Sequence, residues 1–228
     1  IYRPFSDKTN GSYLQMIGDA AYKKEDDTGH ALRGSLYCRV ALPSPRGREA
    51  IQPRRGCKEI AHLLDYACKS ERHVTRSTFS AELFSACDTA DHGLLLATIM
   101  HQIQTGACTV TRARELREDG GWAVQMILAV DAMSVFAAAT ATQIKIPALP
   151  LEKSQLSHVQ YLRELLDRNV LDSMWWLDTR DMIADGLTKG AVDREALHQL
   201  MDGWELIDKE FKVWRSALAN TARMLVFI

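Results

Sequence analysis

No run of 18 or more apolar residues occurs in the 228-residue chain, so no stretch is long enough to span a bilayer as a helix. The start, Ile1-Tyr2-Arg3-Pro4, lacks the basic-then-apolar pattern of a secretory leader. It also lacks a Met, and the expectation is a processed or excised piece of a longer polypeptide. Cysteine is sparse: five residues, at 38, 57, 68, 87 and 108, an odd number with no two lying two to four residues apart. That spacing argues against a disulfide framework and against a cysteine zinc site. Reduced thiols in an intracellular protein are expected, without distinction between cytoplasm and nucleus. Internal repeats and low-complexity tracts are absent. Neither charge sign dominates, the net being −1. What remains is ordinary globular composition, 46% apolar and 25% charged in 25.6 kDa. Such a chain buries its own core, and disorder, collagen and coiled coil are excluded for it as a whole.

The near-zero charge hides an asymmetry. Residues 30–80 hold ten Lys/Arg against four Asp/Glu, whereas 81–228 hold fourteen against twenty. A basic stretch facing an acidic body fits a nucleic-acid footprint or a solvated loop equally well.

The apolar pattern predicts a strand over 13–22, a turn over 23–29 and a second strand over 30–42. In the second, Leu32, Leu36 and Cys38 alternate with Arg33, Ser35 and Arg39. Prolines, glycines and arginines then mark a long basic loop over 43–57. Residues 58–69 fit strand or helix, and 72–78 read as a short strand running into a turn. Leu83, Cys87, Ala90, Leu94, Ala97 and His101 define one face of a helix ending near Gly106. A short charged helix over 111–118 precedes the turn Asp119-Gly120-Gly121. The continuous apolar run 123–130 suits a strand buried on both faces. An Ala-rich helix to about Gln143 follows, then a helix over 154–168, a strand over 170–178 and a short helix from Asp181 to Gly190. A further helix starts near Asp193, and the tail after 203 reads as mostly helical. The domain plan is a linker over 1–12, one domain over 13–203 with insertions at about 43–57 and 106–122, and a helical tail over 204–228. Strands first and helix–strand units later indicate an α/β domain with a partly antiparallel, partly parallel sheet.

Four carboxylates stand in or beside apolar elements: Asp19 inside the first strand, Glu82 in the first turn of the clearest helix, Asp131 at the end of the most buried strand, and Asp185 in the short helix after the last strand. Lone buried carboxylates are costly. If these converge, a hard divalent ion with oxygen ligands is the natural partner. With 29 acids in the chain, chance placement at element ends is the competing explanation, and Glu82 would then serve the helix dipole. His62 with Asp65, and Asp88 with His92, have helical ligand spacing without a third ligand, which disfavours zinc.

Four segments carry a resemblance. Met16-Ile17-Gly18-Asp19-Ala20-Ala21-Tyr22, Thr75-Arg76-Ser77-Thr78-Phe79-Ser80-Ala81-Glu82-Leu83, Leu128-Ala129-Val130-Asp131-Ala132-Met133-Ser134-Val135 and Trp176 to Lys189, which closes on Ala184-Asp185-Gly186-Leu187-Thr188-Lys189, resemble in order the motifs of the ribonuclease H domain of copia-type LTR retrotransposons. The closing segment is the most specific. The resemblance implies a ribonuclease H-like fold, a five-stranded mixed sheet of three antiparallel then two parallel strands flanked by helices. It implies a two-metal endonuclease that cuts the RNA strand of RNA–DNA hybrids during reverse transcription, with two Mg²⁺ ions and Mn²⁺ as a substitute. Asp19 and Asp131 would lie at the centre of the metal site, Glu82 would help hold one ion, and Asp185 would hold the other. The natural partners would be the hybrid and the polymerase part of the same polyprotein, with no membrane involved. Ala132 stands where that family usually has Asn, and Lys153-Ser154 where it often has Lys-His.

Hybrid recognition rests on phosphates and 2′-hydroxyls. Thr75, Ser77, Thr78, Ser80 and Ser134 are candidate donors to sugar or phosphate, with helix capping as the alternative. Arg54 and Arg55, with Arg46 and Arg48, are candidate phosphate contacts or solvated loop residues. Lys189, before Gly190, suits a helix C-terminus. Of Trp175 and Trp176, alternation buries one. A competing function is a catalytically decayed copy that binds nucleic acid or a protein partner. A transposase on the same fold is disfavoured by the fourth acid.

Overall fold

The computed structural model describes residues 11–21, 30–42, 51–71, 75, 77–141 and 153–217. The turn at 23–29, the half of the basic loop with Arg46 and Arg48, most of the strand expected over 72–78 (residues 72–74 and 76) and the tail from 218 lie outside the described residues. The order is β1 (Ser12–Ala21), β2 (Leu32–Ala41), β3 (Lys58–Ser70), α1 (Thr78–Thr105), α2 (Val110–Asp119), β4 (Gln125–Val130), α3 (Met133–Thr140), α4 (Lys153–Asp167), β5 (Ser173–Leu177), a 3₁₀ turn (Thr179–Asp181), α5 (Asp185–Thr188), α6 (Glu195–Met201), β6 (Trp204–Leu206) and β7 (Phe211–Trp214).

One sheet runs β6-β3-β2-β1-β4-β5-β7. β1, β2 and β3 are antiparallel, and β1, β4 and β5 are parallel. These five central strands have the arrangement that the ribonuclease H resemblance implies. Among the described residues the sheet has seven strands rather than five because β6 pairs with β3 and β7 with β5 at its two edges. The tail expected to be helical after 203 is therefore strand at 204–206 and 211–214. Gly203, at φ +88°, turns the chain out of α6, a conformation glycine adopts without steric cost. Phe211-Lys212-Val213-Trp214 then presents aromatic and β-branched side chains that suit a sheet edge. Residues 58–69, ambiguous in sequence, are strand. The charged helix expected over 111–118 is α2.

β1 and β4 sit centrally, with core on both faces. Leu14, Met16, Met126, Leu128 and Val130 pack toward α1, α3 and α4. Tyr13, Ile17, Ile127 and Ala129 pack on the other face with Trp175, Met182, Ile183 and Leu200. This double burial explains their unbroken apolar runs. Each fully buried Leu, Ile or Met contributes about 1.5–3 kcal/mol. Trp175 is fully buried and its ring lies 5.9 Å from that of Tyr13. α1 crosses β1 closely because Gly93 has no side chain: a Cβ there would sit 1.8 Å from Met16 Sδ. Among the described residues no helix is long and apolar enough to cross a membrane.

Candidate metal centre

The parallel register pairs Ile17 with Ala129. Two residues further along each chain come Asp19 and Asp131, so both side chains leave the same end of the sheet on the same face. Asp185 opens α5, which packs on β2 beside Gly34. A Cβ at Gly34 would lie 2.7 Å from Thr188 Cγ2 and 3.1 Å from Leu187 Cβ. The bare backbone of β2 thus lets α5 come close enough to deliver Asp185. One oxygen from each of Asp19, Asp131 and Asp185 lies within 4.8 Å of the others.

Glu82 arrives from α1 and accepts a hydrogen bond from the Ala20 N–H at 3.1 Å. It stands beside Asp19 and Asp131 but outside the group of three. It lies one turn inside the helix rather than in the first turn, because α1 begins at Thr78 on the Ser77 cap. A dipole role at the first turn is thereby removed.

Asp19 is fully buried. Its Oδ2 accepts from Thr188 Oγ1, and its backbone carbonyl accepts from Ser85 Oγ at 2.8 Å. Among the described residues its Oδ1 has no hydrogen-bond partner. Lys189 Nζ lies 2.5 Å from Asp185 Oδ1 and 3.7 Å from Asp19 Oδ1. Burial, together with Asp19 and Asp131, pushes the Glu82 carboxyl up to about 9. Burial and Asp19 push Asp131 up to about 6, against the pull of Lys189. Burial raises Asp185 as well. Burial works against the charged form of Lys189, yet the carboxylates of Asp185, Asp19 and Asp131 outweigh it and hold the ammonium above its usual value.

Even with Glu82 protonated at neutral pH, the three clustered aspartates outnumber the one lysine beside them. The donor set is all oxygen, and one buried oxygen of it is unpartnered. That combination fits a hard divalent cation and does not fit zinc with nitrogen or sulfur ligands.

The other candidate residues divide. Ser77 caps α1, its Oγ accepting from the Ser80 N–H at 3.1 Å. Ser80 is buried and its Oγ accepts from Gln155 Nε2. Thr75 is buried, and its hydroxyl has no hydrogen-bond partner among the described residues. Thr78 and Ser134 are exposed in the first turns of α1 and α3. Arg54 and Arg55 are not brought to the acids. Arg54 donates to Glu59 at 2.9 Å and Arg55 to the Asp208 carbonyl at 2.8 Å. They stand before Lys58, at the end of β3 opposite Cys68, whose row contains Gly34 and Asp19. The zinc spacings dissolve too: His92 Nε2 bonds Asp65 Oδ2 at 2.8 Å, and Asp88 pairs with Arg33. Trp175 is core, while Trp176 is half-buried and donates to the Asp131 carbonyl at 2.7 Å. Sequence reasoning missed Thr188 and Lys189 as part of the site. Their spacing of three and four residues from Asp185 was the available signal.

No protein-family model and no curated protein matches the chain. Among solved structures it is similar to LC9-RNase H1, described as a type 1 RNase H with the type 2 active-site motif. The identity is 10% and the TM-score 0.40, over 93% of this chain and 81% of that one. A likeness of that degree carries no residue role and no activity to this chain.

Proposed function

We propose that the chain is a divalent-metal-dependent nuclease, an endonuclease acting on the RNA strand of RNA–DNA hybrids. The observation that carries this reading is the convergence of Asp19, Asp131 and Asp185 around a buried, unpartnered carboxylate oxygen. Asp19, Asp131 and Asp185 would hold the ions, with Glu82 at their flank. Divalent ions at such a site, Mg²⁺ or Mn²⁺, supply a nucleophile at neutral pH and neutralise charge developing on a phosphodiester. Thr188 fixes one Asp19 oxygen and leaves the other for a cation. Ser85 anchors the backbone of Asp19, and Trp176 that of Asp131. Exposed Thr78 and Ser134 stand at helix N-termini, where hydroxyls and free N–H groups suit phosphate oxygens. The four sequence motifs support a copia-type retroelement as the context, with two ions in the site and the polymerase part of the polyprotein as neighbour.

A second reading, a catalytically decayed binding module, is favoured by one observation: Lys189 already supplies a cation to the acids. The test is cleavage of a hybrid labelled on either strand, in Mg²⁺, Mn²⁺ or EDTA, by wild type, Asp19→Asn and Glu82→Gln. The nuclease reading expects metal-dependent cutting of the RNA strand that both substitutions abolish. A folded wild type that binds the hybrid and leaves both strands intact overturns it in favour of the binding module.

A further inference from the structure

Lys189 holds a position that the metal reading alone does not require. α5 is only four residues long, and the Lys189 N–H donates to the Asp185 carbonyl at 2.9 Å. This closed turn brings Nζ back onto the side chain of the residue that opens the helix. The same Nζ lies 3.7 Å from Asp19 Oδ1, the buried oxygen that has no hydrogen-bond partner. The ammonium therefore faces the lone pairs that a cation would use. The side chain is one-third exposed, and the Gly190 that follows has open space around it. A route outward exists without rearranging the core.

We propose that Lys189 is a displaceable counter-cation of the carboxylate cluster. This rests on the reading of the cluster as a metal centre. In the metal-free chain Nζ offsets part of the repulsion between Asp19 and Asp185 and keeps both acids in place. A divalent ion on Asp19 Oδ1 repels the ammonium at such distances, so loading turns Lys189 out to solvent. The lysine keeps the empty site ordered and weakens its affinity for metal.

Two measurements on the full chain test this. The first is calorimetric titration with Mn²⁺ of wild type, Lys189→Met and Lys189→Arg, each checked for folding by circular dichroism. The Met variant is expected to bind about tenfold more tightly, equivalent to about 1.4 kcal/mol, and the Arg variant no more tightly than wild type. Equal or weaker binding by the Met variant overturns the displacement and leaves the metal centre standing. Absence of Mn²⁺ binding by wild type and Met variant alike overturns both. The second measurement needs no substitution: acylation of lysines in the wild type, read by mass spectrometry, with exposed Lys58 as internal reference. Lys189 is expected to react severalfold faster relative to Lys58 with Mn²⁺ than with EDTA. An unchanged ratio contradicts its displacement.

Discussion

Replacing Gly34 by Ala adds one methyl group at the place where β2 carries α5. The new Cβ would stand 2.7 Å from Thr188 Cγ2, 3.1 Å from Leu187 Cβ and 3.4 Å from the Ala184 carbonyl oxygen. None of these atoms is the far end of a flexible side chain. Thr188 cannot rotate freely, because its hydroxyl donates to Asp19, and Leu187 Cβ moves only with the backbone. α5 must shift outward, carrying Asp185 and the Thr188 hydroxyl away from Asp19. Overpacking of this kind costs about 1–3 kcal/mol. In a chain of this length that lowers the melting temperature by about 2–12 °C. Divalent-metal affinity should fall with it, since two of the groups that shape the site move together. Gly190→Ala is the control: nothing lies within 4 Å of its added Cβ, so stability should change by less than about 0.5 kcal/mol. Thermal unfolding followed by circular dichroism, paired with Mn²⁺ titration, reads both effects. A Gly34→Ala protein as stable as wild type and binding Mn²⁺ equally would refute the argument that close packing of α5 positions Asp185.

Two further outcomes follow from the rest of the fold. Glu205 is buried beside Glu59, and burial pushes its carboxyl up to about 8 against the hydrogen bond from Gln15. The folded form therefore binds a proton that the unfolded chain releases near its ordinary value of 4.5. From Glu205 alone, stability falls as pH rises from about 4.5 to about 8, by at most about 1.4 kcal/mol per unit, and the raised carboxyls of Glu82 and Asp131 add to the same trend. Glu205→Gln keeps an acceptor for Gln15 and should reduce that slope in urea denaturation measured across this range, whereas an unchanged slope excludes Glu205 as a contributor. Ser77→Ala removes the side-chain cap of α1 and should cost about 0.5–2 kcal/mol in the same assay, and no loss would mean that the cap adds nothing to α1.

The parts of this structure legible in the sequence are those specified by local pattern. β1 and β4 declare themselves as unbroken apolar runs because both of their faces are buried. α1 shows through the row from Leu83 to His101. The acids stand out because each interrupts or ends such an element, and parallel register then places Asp19 beside Asp131. The parts left open or misread depend mostly on distant partners. β3 keeps Leu64 and Tyr66 exposed, so its pattern is neither cleanly alternating nor helical. β6 and β7 are three and four residues long, too short for periodicity, and exist because β3 and β5 offer them open edges. Arg54 and Arg55 read equally as phosphate contacts or solvated loop residues: Glu59, the partner of Arg54, is five residues away, but nothing nearby in sequence shows the Asp208 carbonyl that Arg55 reaches across 153 residues. Lys189 does stand at the C-terminus of α5, as its neighbour Gly190 suggests. A four-residue helix has little dipole, and its tight turn sends the ammonium back to the acids instead.

The claim on which the rest depends is that Asp19, Asp131 and Asp185 form a divalent-metal site. Anomalous diffraction from crystals of the chain grown with Mn²⁺ tests it directly. The account predicts a manganese peak within about 2.0–2.4 Å of Asp19 Oδ1, shared with Asp131 or Asp185, at oxygen-ligand distances for hard cations. Crystals containing Mn²⁺ in which these carboxylates carry no peak, with Lys189 still on Asp185, would contradict it.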